Sequence, residues 1–215
     1  MPSCRFAEIS ENIGADWSEI VPALKLDRRI GPYSYLAPGL GIAGGNLERD
    51  LATIVRLGDS HGTDVGVVRA WQANSRYRRG WVLRELHARV LAKDPDARLA
   101  VLGLAYKENT HSIKNSPSLA LLSALAPYSV AAFDPAVAVK AEYHPNLQSA
   151  PNALAACKGA DAVVIMTPWP EFRQLKPADI ASQMKGKVVI DPFACLDHPA
   201  CRSAGLVYVT LGKLT

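Results

Sequence analysis

Apolar side chains in the first ninety residues recur every three or four positions, which is the spacing of an amphipathic helix. The pattern predicts one helix over residues 6–24, a second from residue 47 and a third over residues 64–91. Asn46 stands where an N-cap residue would be, and Glu48 adds negative charge to the first turn. The positions at which these helices should weaken or end are Gly14, Pro22, Gly58, Gly62 and Gly80.

The pattern changes after a polar, proline-containing joint at residues 93–97. Short apolar runs typical of buried strands then alternate with helical stretches, the first of which opens with Ser116 as cap and Pro117 at the first helical position. The runs predicted as strands are Leu99–Tyr106, Val130–Phe133, Ala162–Met166, Lys187–Ile190 and Leu206–Leu211. Further helices are predicted over Ala150–Lys158 and Pro177–Met184.

We therefore predict an α/β protein in two parts. Residues 1–95 form a helical domain, and residues 96–215 form a Rossmann-like domain with a parallel five-stranded sheet. Because the predicted strands are almost continuously apolar, helices should cover both faces of this sheet.

Composition narrows the class of protein. No run approaches the ~18 apolar residues of a membrane helix, and the first residues lack the apolar segment of a signal peptide. The four cysteines are scattered without metal-ligand spacing, so we expect free thiols in a reducing cytoplasm and no metal site. The net charge of +4 suits a small anionic ligand better than a nucleic acid. The arginines between residues 76 and 89 are interrupted by Glu85 and His87, and we interpret them as a solvated helix face.

A glycine cluster follows the first predicted helix. Gly39, Gly41 and Gly44 spell G-x-G-x-x-G, the pattern of a dinucleotide-binding turn. That pattern is informative only when a buried strand leads into it, and here Pro32 and Pro38 precede it instead. We therefore do not assign a dinucleotide site to this loop.

The loop after the first predicted strand offers a second candidate site. Lys107 and Lys114 lie in it, and it ends at a helix N-terminus, where a phosphate would be favoured. The alternative is that both lysines are ordinary surface charges. Asp134 ends the second predicted strand, where an acidic residue could bind a ribose hydroxyl. The turn after the first strand, however, contains only Gly103, which argues against a full dinucleotide site.

Several stretches together resemble the UDP-glucose/GDP-mannose dehydrogenase family. Residues 29–31 and 41–50 are similar to its R-I-G and G-[FY]-G-G-S-C-F-P-K-D motifs, and residues 103–117 to its G-L-[AS]-F-K-P-N-T-D-D-x-R-x-S-P motif. Residues 133–135, 160–161 and 167–172 match its Y-D-P, A-D-A and T-E-W-x-E-F in the same order. The resemblance covers nearly the whole chain and would correspond to the C-terminal half of a family member.

The resemblance implies a helical central domain that forms a homodimer through residues 1–95, followed by a domain that holds the nucleotide of a UDP-sugar. Family members oxidise the C6 alcohol of the sugar to a carboxylate with NAD. Their second oxidation passes through a thioester on a cysteine of the glycine-rich loop, because a thiolate can capture the aldehyde intermediate.

The resemblance also implies roles for particular residues. Asp50 would position the catalytic water, Arg29 would reach the sugar site of the partner subunit, and Tyr106 and Lys107 would contact the substrate. Lys114 replaces an arginine that binds NAD, keeping the charge without the fork geometry. The expected substrate-binding loop contains Tyr35, Leu36, Ala37, Pro38, Gly39, Gly41 and Gly44.

Three departures from the family pattern matter. Asn46 occupies the position of the catalytic cysteine, and an amide cannot form the thioester. The NAD-binding domain, together with the assisting Lys and Asn of the central helix, is missing from these 215 residues. Phe193 stands where the family has a substrate-binding arginine.

These departures leave three hypotheses. In the first, the chain is a truncated family member that binds no NAD and is inactive by itself. In the second, it is a non-catalytic sugar-nucleotide-binding or dimerisation module whose partner carries the NAD domain. In the third, it catalyses a different reaction in the same pocket, with Asp50 as base and Asn46 as a hydrogen-bond donor.

Overall fold

The computed structural model describes residues 2–214. The first part is helical, as predicted, but its first helix is divided in two. Gly14 adopts a φ of +76° after α1, and the Asp16 side chain then accepts a hydrogen bond from the Ser18 N–H to begin α2. The helices of this part are α1 (Pro2–Ile13), α2 (Trp17–Leu26), α3 (Asn46–His61), α4 (Gly66–Arg79) and α5 (Trp81–Leu86), the last continuing into a π-helical turn (His87–Leu91).

Two predictions for the ends of the helices can be compared with the structure. Gly45 is the N-cap of α3 and Asn46 is its first residue, so the predicted capping role of Asn46 is wrong by one position. No side chain caps this helix. Gly80 separates α4 from α5, where a kink was expected.

The second part contains a parallel sheet of six strands in the order β3-β2-β1-β4-β5-β6. Residues of β1 and β4 that point to either face are buried, so both faces of the central sheet are covered. The α/β prediction is confirmed. The strands are β1 (Arg98–Leu102), β2 (Ser129–Phe133), β3 (Leu147–Ser149), β4 (Ala162–Ile165), β5 (Val188–Ile190) and β6 (Val207–Val209).

The predicted number of strands is too low by one. The missed strand, β3, has three residues and pairs with β2 at the edge of the sheet formed by the described strands. Its sequence, Leu-Gln-Ser, carries no apolar run because most of it faces solvent.

The helices of this part are α6 (Pro117–Ala124), α7 (Ala153–Cys157), α8 (Pro170–Arg173), α9 (Pro177–Gln183) and α10 (His198–Ser203), with a 3-10 turn at Ala141–Tyr143. Of these, α8 and α10 were not predicted.

The two parts are in contact at several places. Trp81, Val82 and Leu86 of α5 lie in the same apolar core as the sheet. The segment after β6 returns to the start of α2, where the Trp17 N–H donates to the Gly212 carbonyl at 2.8 Å. The predicted boundary between residues 95 and 96 stays a prediction.

Ser116 provides a test of how α6 is held over the sheet. Its buried hydroxyl donates to the Leu104 carbonyl at 2.7 Å and accepts from the Ser118 N–H at 3.2 Å. Ser116→Ala should therefore lower the free energy of unfolding by about 1–2 kcal/mol, measured by urea denaturation. Ser123→Ala, an exposed change in the same helix, is the matched control and should stay within about 0.5 kcal/mol of the unsubstituted protein. Equal losses in both variants would contradict the capping role.

Candidate functional site

A cavity of about 890 Å³ lies between the helical part and the carboxyl ends of four strands. The helical side contributes α1, α2, α3, α4 and residues 37–43 of the glycine-rich loop, which spans residues 37–45. The sheet side contributes the segments that follow β1, β4, β5 and β6, the edge at which open parallel sheets bind ligands. Residues of these segments that line the cavity include Tyr106, Lys107, Met166, Pro168, Phe193 and Thr210.

The glycine-rich loop is fixed to α4 by close backbone contact. Gly41 has a φ of +89°, and a Cβ atom there would lie 2.5 Å from the Ser75 carbonyl oxygen, so only glycine fits. The Ile42 N–H donates to the Ser75 hydroxyl at 2.8 Å, and the Arg79 guanidinium donates to the Ile42 carbonyl at 2.6 Å. The loop therefore has a defined shape against the helix.

The far end of the same loop is held by the segment after β1. A Cβ atom on Gly44 would lie 3.1 Å from the Tyr106 ring, and Gly45 is in similarly close contact with the Lys114 side chain. Asn115, at a φ of +52°, donates through its side-chain amide to the Gly44 carbonyl at 3.2 Å. Its amide also donates to Glu48, and its Oδ1 accepts from Arg79 at 2.9 Å. Asn115 thus ties the loop, α3 and α4 to the sheet.

The structure brings most of the predicted substrate-binding residues to the cavity. Those that line it are Tyr35, Ala37, Pro38, Gly39, Gly41, Tyr106 and Lys107. Leu36 and Gly44 lie outside the lining set. The Leu36 carbonyl accepts from the Trp17 indole N–H at 2.9 Å, and Gly44 is buried against Tyr106.

The other predicted residues lie away from the cavity lining. Asn46 is exposed at the start of α3, and Asp50 is exposed and pairs with Arg49 at 3.0 Å. Arg29 pairs with the neighbouring Asp27 at 2.8 Å and is almost fully exposed. Lys114 packs against Gly45 rather than reaching into the cavity. The roles that the resemblance implies for these four residues stay predictions.

The carboxylate of Asp134 is occupied by protein donors. Its Oδ2 accepts from the backbone N–H groups of Leu104 and Ala105 and from the Trp169 indole, and its Oδ1 accepts from the N–H groups of Ala136 and Val137. Five donors on two oxygens exceed the usual capacity of a carboxylate. Asp134 therefore shapes the end of β2 and is not available for a ribose hydroxyl.

A second buried carboxylate shapes the loop after β5. Asp191 accepts from the N–H groups of Phe193 at 3.2 Å and Leu196 at 2.9 Å, and from the Tyr208 hydroxyl at 2.8 Å. Burial raises the pKa of Asp191, although these hydrogen bonds oppose the shift. The turn places Phe193 on the cavity wall, where the family resemblance leads one to expect an arginine.

The cavity lining is basic. Among the described residues it contains five basic side chains and one acidic side chain, Glu108. Three of the five, on α2, after β1 and on α8, form no ion pair within residues 2–214. These are Lys25, Lys107 and Arg173. They give the cavity a positive potential suited to phosphate or carboxylate groups.

The remaining two basic side chains are neutralised. The Lys213 ammonium lies 2.6 Å from Asp16, and the fully buried Arg78 lies 3.6 Å from Glu8 and 3.5 Å from Glu11. Burial raises the pKa of Glu11, while the Gly212 N–H and Arg78 oppose that shift. Both pairs join the helical part to itself or to the segment after β6.

Several lining residues could not be identified from the sequence. Lys25, Arg173 and Thr210 lie far apart along the chain and in no shared motif, so only folding brings them together. Cys4 lines the cavity as well, with its sulfur 3.9 Å from the Gly39 carbonyl, although it is distant from the loop in sequence.

All four cysteines are free and buried. Within residues 2–214, no cluster of three potential metal ligands occurs and no helix is long and apolar enough to cross a membrane.

The close contact at Gly41 can be tested against Gly39, for which no atom lies within 4 Å of the Cβ position. Gly41→Ala should reduce the free energy of unfolding by about 1–3 kcal/mol, since the new methyl would strain the backbone and overlap Ser75. Gly39→Ala should change it by less than about 0.5 kcal/mol. Urea denaturation of both variants measures the difference, and a similar loss in the two would show that the loop is not held as described.

The comparisons with known proteins all point to one protein family. The model of the UDP-glucose/GDP-mannose dehydrogenase family central domain matches residues 4–76, and that of the family's UDP-binding domain matches residues 100–198. The UDP-glucose 6-dehydrogenase of Rickettsia prowazekii (strain Madrid E) is 30% identical over 213 residues, which are 96% of this chain and 49% of that protein. UDP-glucose 6-dehydrogenase TuaD of Bacillus subtilis (strain 168) is 26% identical over 211 residues, 96% of this chain and 45% of its own length. The chain thus spans about half the length of the curated relatives it matches.

Solved structures share the fold. A UDP-glucose dehydrogenase from Pyrobaculum islandicum superposes with a TM-score of 0.81 at 23% identity, over 99% of this chain and 47% of that one. A UDP-D-ManNAc dehydrogenase from Pyrococcus horikoshii gives 0.80 at 24% identity, over 98% and 47%. Together with the two domain matches, which cover most of the sequence, these similarities mean that the chain belongs to the UDP-glucose/GDP-mannose dehydrogenase family.

Proposed function

We propose that this chain binds a nucleotide sugar, such as a UDP-sugar, in the cavity between its helical part and its sheet. The observation that carries the proposal is the presence of Lys25, Lys107 and Arg173, three basic side chains without ion-pair partners in residues 2–214, in the same cavity as the glycine-rich loop. A diphosphate is the part of a nucleotide sugar that such cations favour. The segment after β1 would hold the diphosphate, and the backbone of the glycine-rich loop would approach the sugar.

We further propose that the family's oxidation through a thioester does not occur at residue 46. The Asn46 amide is not a nucleophile, and the Cys4 thiol, although it lines the cavity, lies against Gly39 rather than at the start of α3. In this proposal the chain retains the family's ligand-binding scaffold without its covalent chemistry.

The family is NAD-dependent, but the residues present do not fit a dinucleotide. The G-x-G-x-x-G of residues 39–44 follows an irregular segment instead of a strand, and Asp134 has no free oxygen for a ribose. Lys114, the expected NAD contact, lies against Gly45. We propose that residues 1–215 bind no NAD by themselves. A cytoplasmic location, expected from the free thiols, is likewise a proposal.

The second candidate function is that of a homodimerisation module, and one observation favours it. The helical part leaves several large apolar side chains exposed on three of its helices. The residues are Phe6, Ile9 and Ile13 on α1, Ile20 and Leu26 on α2, and Leu47, Ile54 and Leu57 on α3, of which Leu47 also lines the cavity. Helices α1 and α2 contact each other, and a second copy of the chain could cover their exposed apolar side chains.

Ligand titration tests the binding proposal. UDP-glucose should raise the thermal unfolding midpoint in a concentration-dependent manner, whereas NAD should not. Lys107→Ala should weaken UDP-glucose binding about tenfold, because one charge-assisted contact to the diphosphate is lost. Lys158→Ala removes an exposed lysine that does not line the cavity and should leave the affinity unchanged. No midpoint shift at millimolar UDP-glucose would reject the proposal.

The oligomeric state tests the second function. Light scattering after size-exclusion chromatography should give the mass of a dimer for the unsubstituted chain and of a monomer for the double variant Ile9→Asp and Ile13→Asp. Two buried carboxylates would cost more than the interface can offset. Arg202→Asp, an exposed change on α10, should leave the dimer intact. A monomer at all concentrations, or a dimer in the double variant, would rule out this face as the interface.

A further inference from the structure

Asn115 holds two carbonyl groups of the glycine-rich loop, one directly and one through Arg79. Its side-chain amide donates to the Gly44 carbonyl at 3.2 Å. Its Oδ1 accepts from Nη1 of Arg79 at 2.9 Å, and Nη2 of the same guanidinium donates to the Ile42 carbonyl at 2.6 Å. A single side chain therefore fixes the loop at two points.

The contacts of Asn115 require an amide. Its nitrogen donates to the Glu48 carboxylate as well as to the loop, while its oxygen accepts from α4. A carboxylate has no hydrogen to donate, and a hydroxyl has only one. The backbone φ of +52° is a second constraint, because asparagine is one of the few residues that adopt this left-handed conformation readily. The contacts and the conformation together account for asparagine at this position.

Asn115 acts on the cavity from outside it. Neither Asn115 nor Arg79 lines the cavity, whereas residues 41–43 of the loop do. Tyr106 and Lys107, which belong to the same segment after β1 as Asn115, line it too. Asn115 therefore joins two parts of the cavity wall without lining the cavity itself.

From these contacts we infer that Asn115 is a positioning residue for the sugar half of the ligand, in a nucleotide sugar bound as proposed above. If the Asn115 contacts were lost, the segment after β1 would still hold the diphosphate, because Lys107 takes no part in them. The loop backbone would be free to shift, and a shift of about 1 Å is enough to weaken contacts that depend on geometry. Asn115 thus determines how much the sugar adds to the affinity for the nucleotide.

Isothermal titration calorimetry with UDP and UDP-glucose measures the contribution of the sugar as the ratio of the two affinities. Asn115→Asp keeps the size of the side chain and the acceptor for Arg79, but it removes both donated hydrogen bonds and places a carboxylate beside Glu48. The ratio should fall at least about fivefold, while the affinity for UDP stays within about twofold. Asn115→Gly removes the side chain but tolerates the positive φ, and it should have the same effect even if Asn115→Asp does not fold.

Asn109 provides a matched control in the same segment. It also has a positive φ, of +59°, but it is exposed and does not line the cavity. Asn109→Asp makes the same chemical change and should leave both affinities unchanged.

A second substitution tests the contact itself. Glu48→Gln in the Asn115→Asp background should restore part of the ratio, because the amide introduced at one position can donate to the carboxylate introduced at the other. The thermal midpoints of the ligand-free variants are measured alongside. A purely structural role would lower the midpoint and both affinities together and would leave the ratio unchanged.

The outcomes separate this inference from the proposed function. A ratio that is unchanged in both Asn115 variants, an equal loss of UDP and UDP-glucose affinity, or an equal fall of the ratio in Asn109→Asp would overturn the inference while nucleotide-sugar binding stands. If UDP-glucose binds the unsubstituted chain no more tightly than UDP, the loop does not contact the sugar and the inference fails, although nucleotide binding stands. If neither ligand binds, the proposed function fails and the inference with it.

Discussion

The arrangement of the site depends on how closely the glycine-rich loop approaches the segment after β1. At Gly44 and Gly45 the loop backbone lies directly against Tyr106 and Lys114, and a Cβ atom on Gly44 would lie 3.1 Å from the Tyr106 ring. Asn115 then connects the loop to the sheet part, and Arg79 connects the same loop to α4. The cavity lies beside this contact, lined by Tyr106 on one side and by residues 37–43 on the other.

Two strand-end aspartates show how acidic residues at ligand-binding edges can be structural. Asp134 and Asp191 each precede a proline, and each carboxylate collects backbone N–H groups from the turn that follows. A carboxylate can replace the missing sheet partners of such a turn because it accepts several hydrogen bonds at once. The two aspartates hold the turns in place without lining the cavity themselves. Neighbouring side chains, such as Phe193, line the cavity instead.

Much of the fold follows from the sequence because the strongest local signals agree with the global structure. The five predicted strands lie where continuous apolar runs cross a doubly covered sheet, and the Ser116-Pro117 pair begins a helix in the expected way. The edge strand β3 was not predicted because two of its three side chains face solvent and the segment carries no periodic pattern. The first helix is divided at Gly14, where the sequence predicts it to weaken, but helical spacing alone does not reveal the positive φ that ends it there.

Only part of the candidate site could be predicted from the sequence. The glycine-rich loop, Tyr106 and Lys107 stand in recognisable motifs, and the structure brings them to one cavity. Lys25, Arg173 and Thr210 belong to no motif, since their proximity arises from α2, α8 and β6 meeting in space. Among the described residues the Thr210 hydroxyl has no hydrogen-bond partner, which is a result of three-dimensional packing and has no counterpart in residue spacing. In physical terms, sequence patterns report local periodicity and chemistry, whereas convergence of distant elements requires the fold.

The pairing of the segment after β6 with the first two helices has a consequence for the order of folding. The Gly212 N–H donates to Glu11 at a sequence separation of 201 residues, and the Gly212 carbonyl accepts from Trp17. Helices α1 and α2 therefore cannot form this contact until synthesis of the chain has passed residue 212. Long-range closure of this kind is slow, because the entropy of bringing distant segments together must be lost before the contact forms.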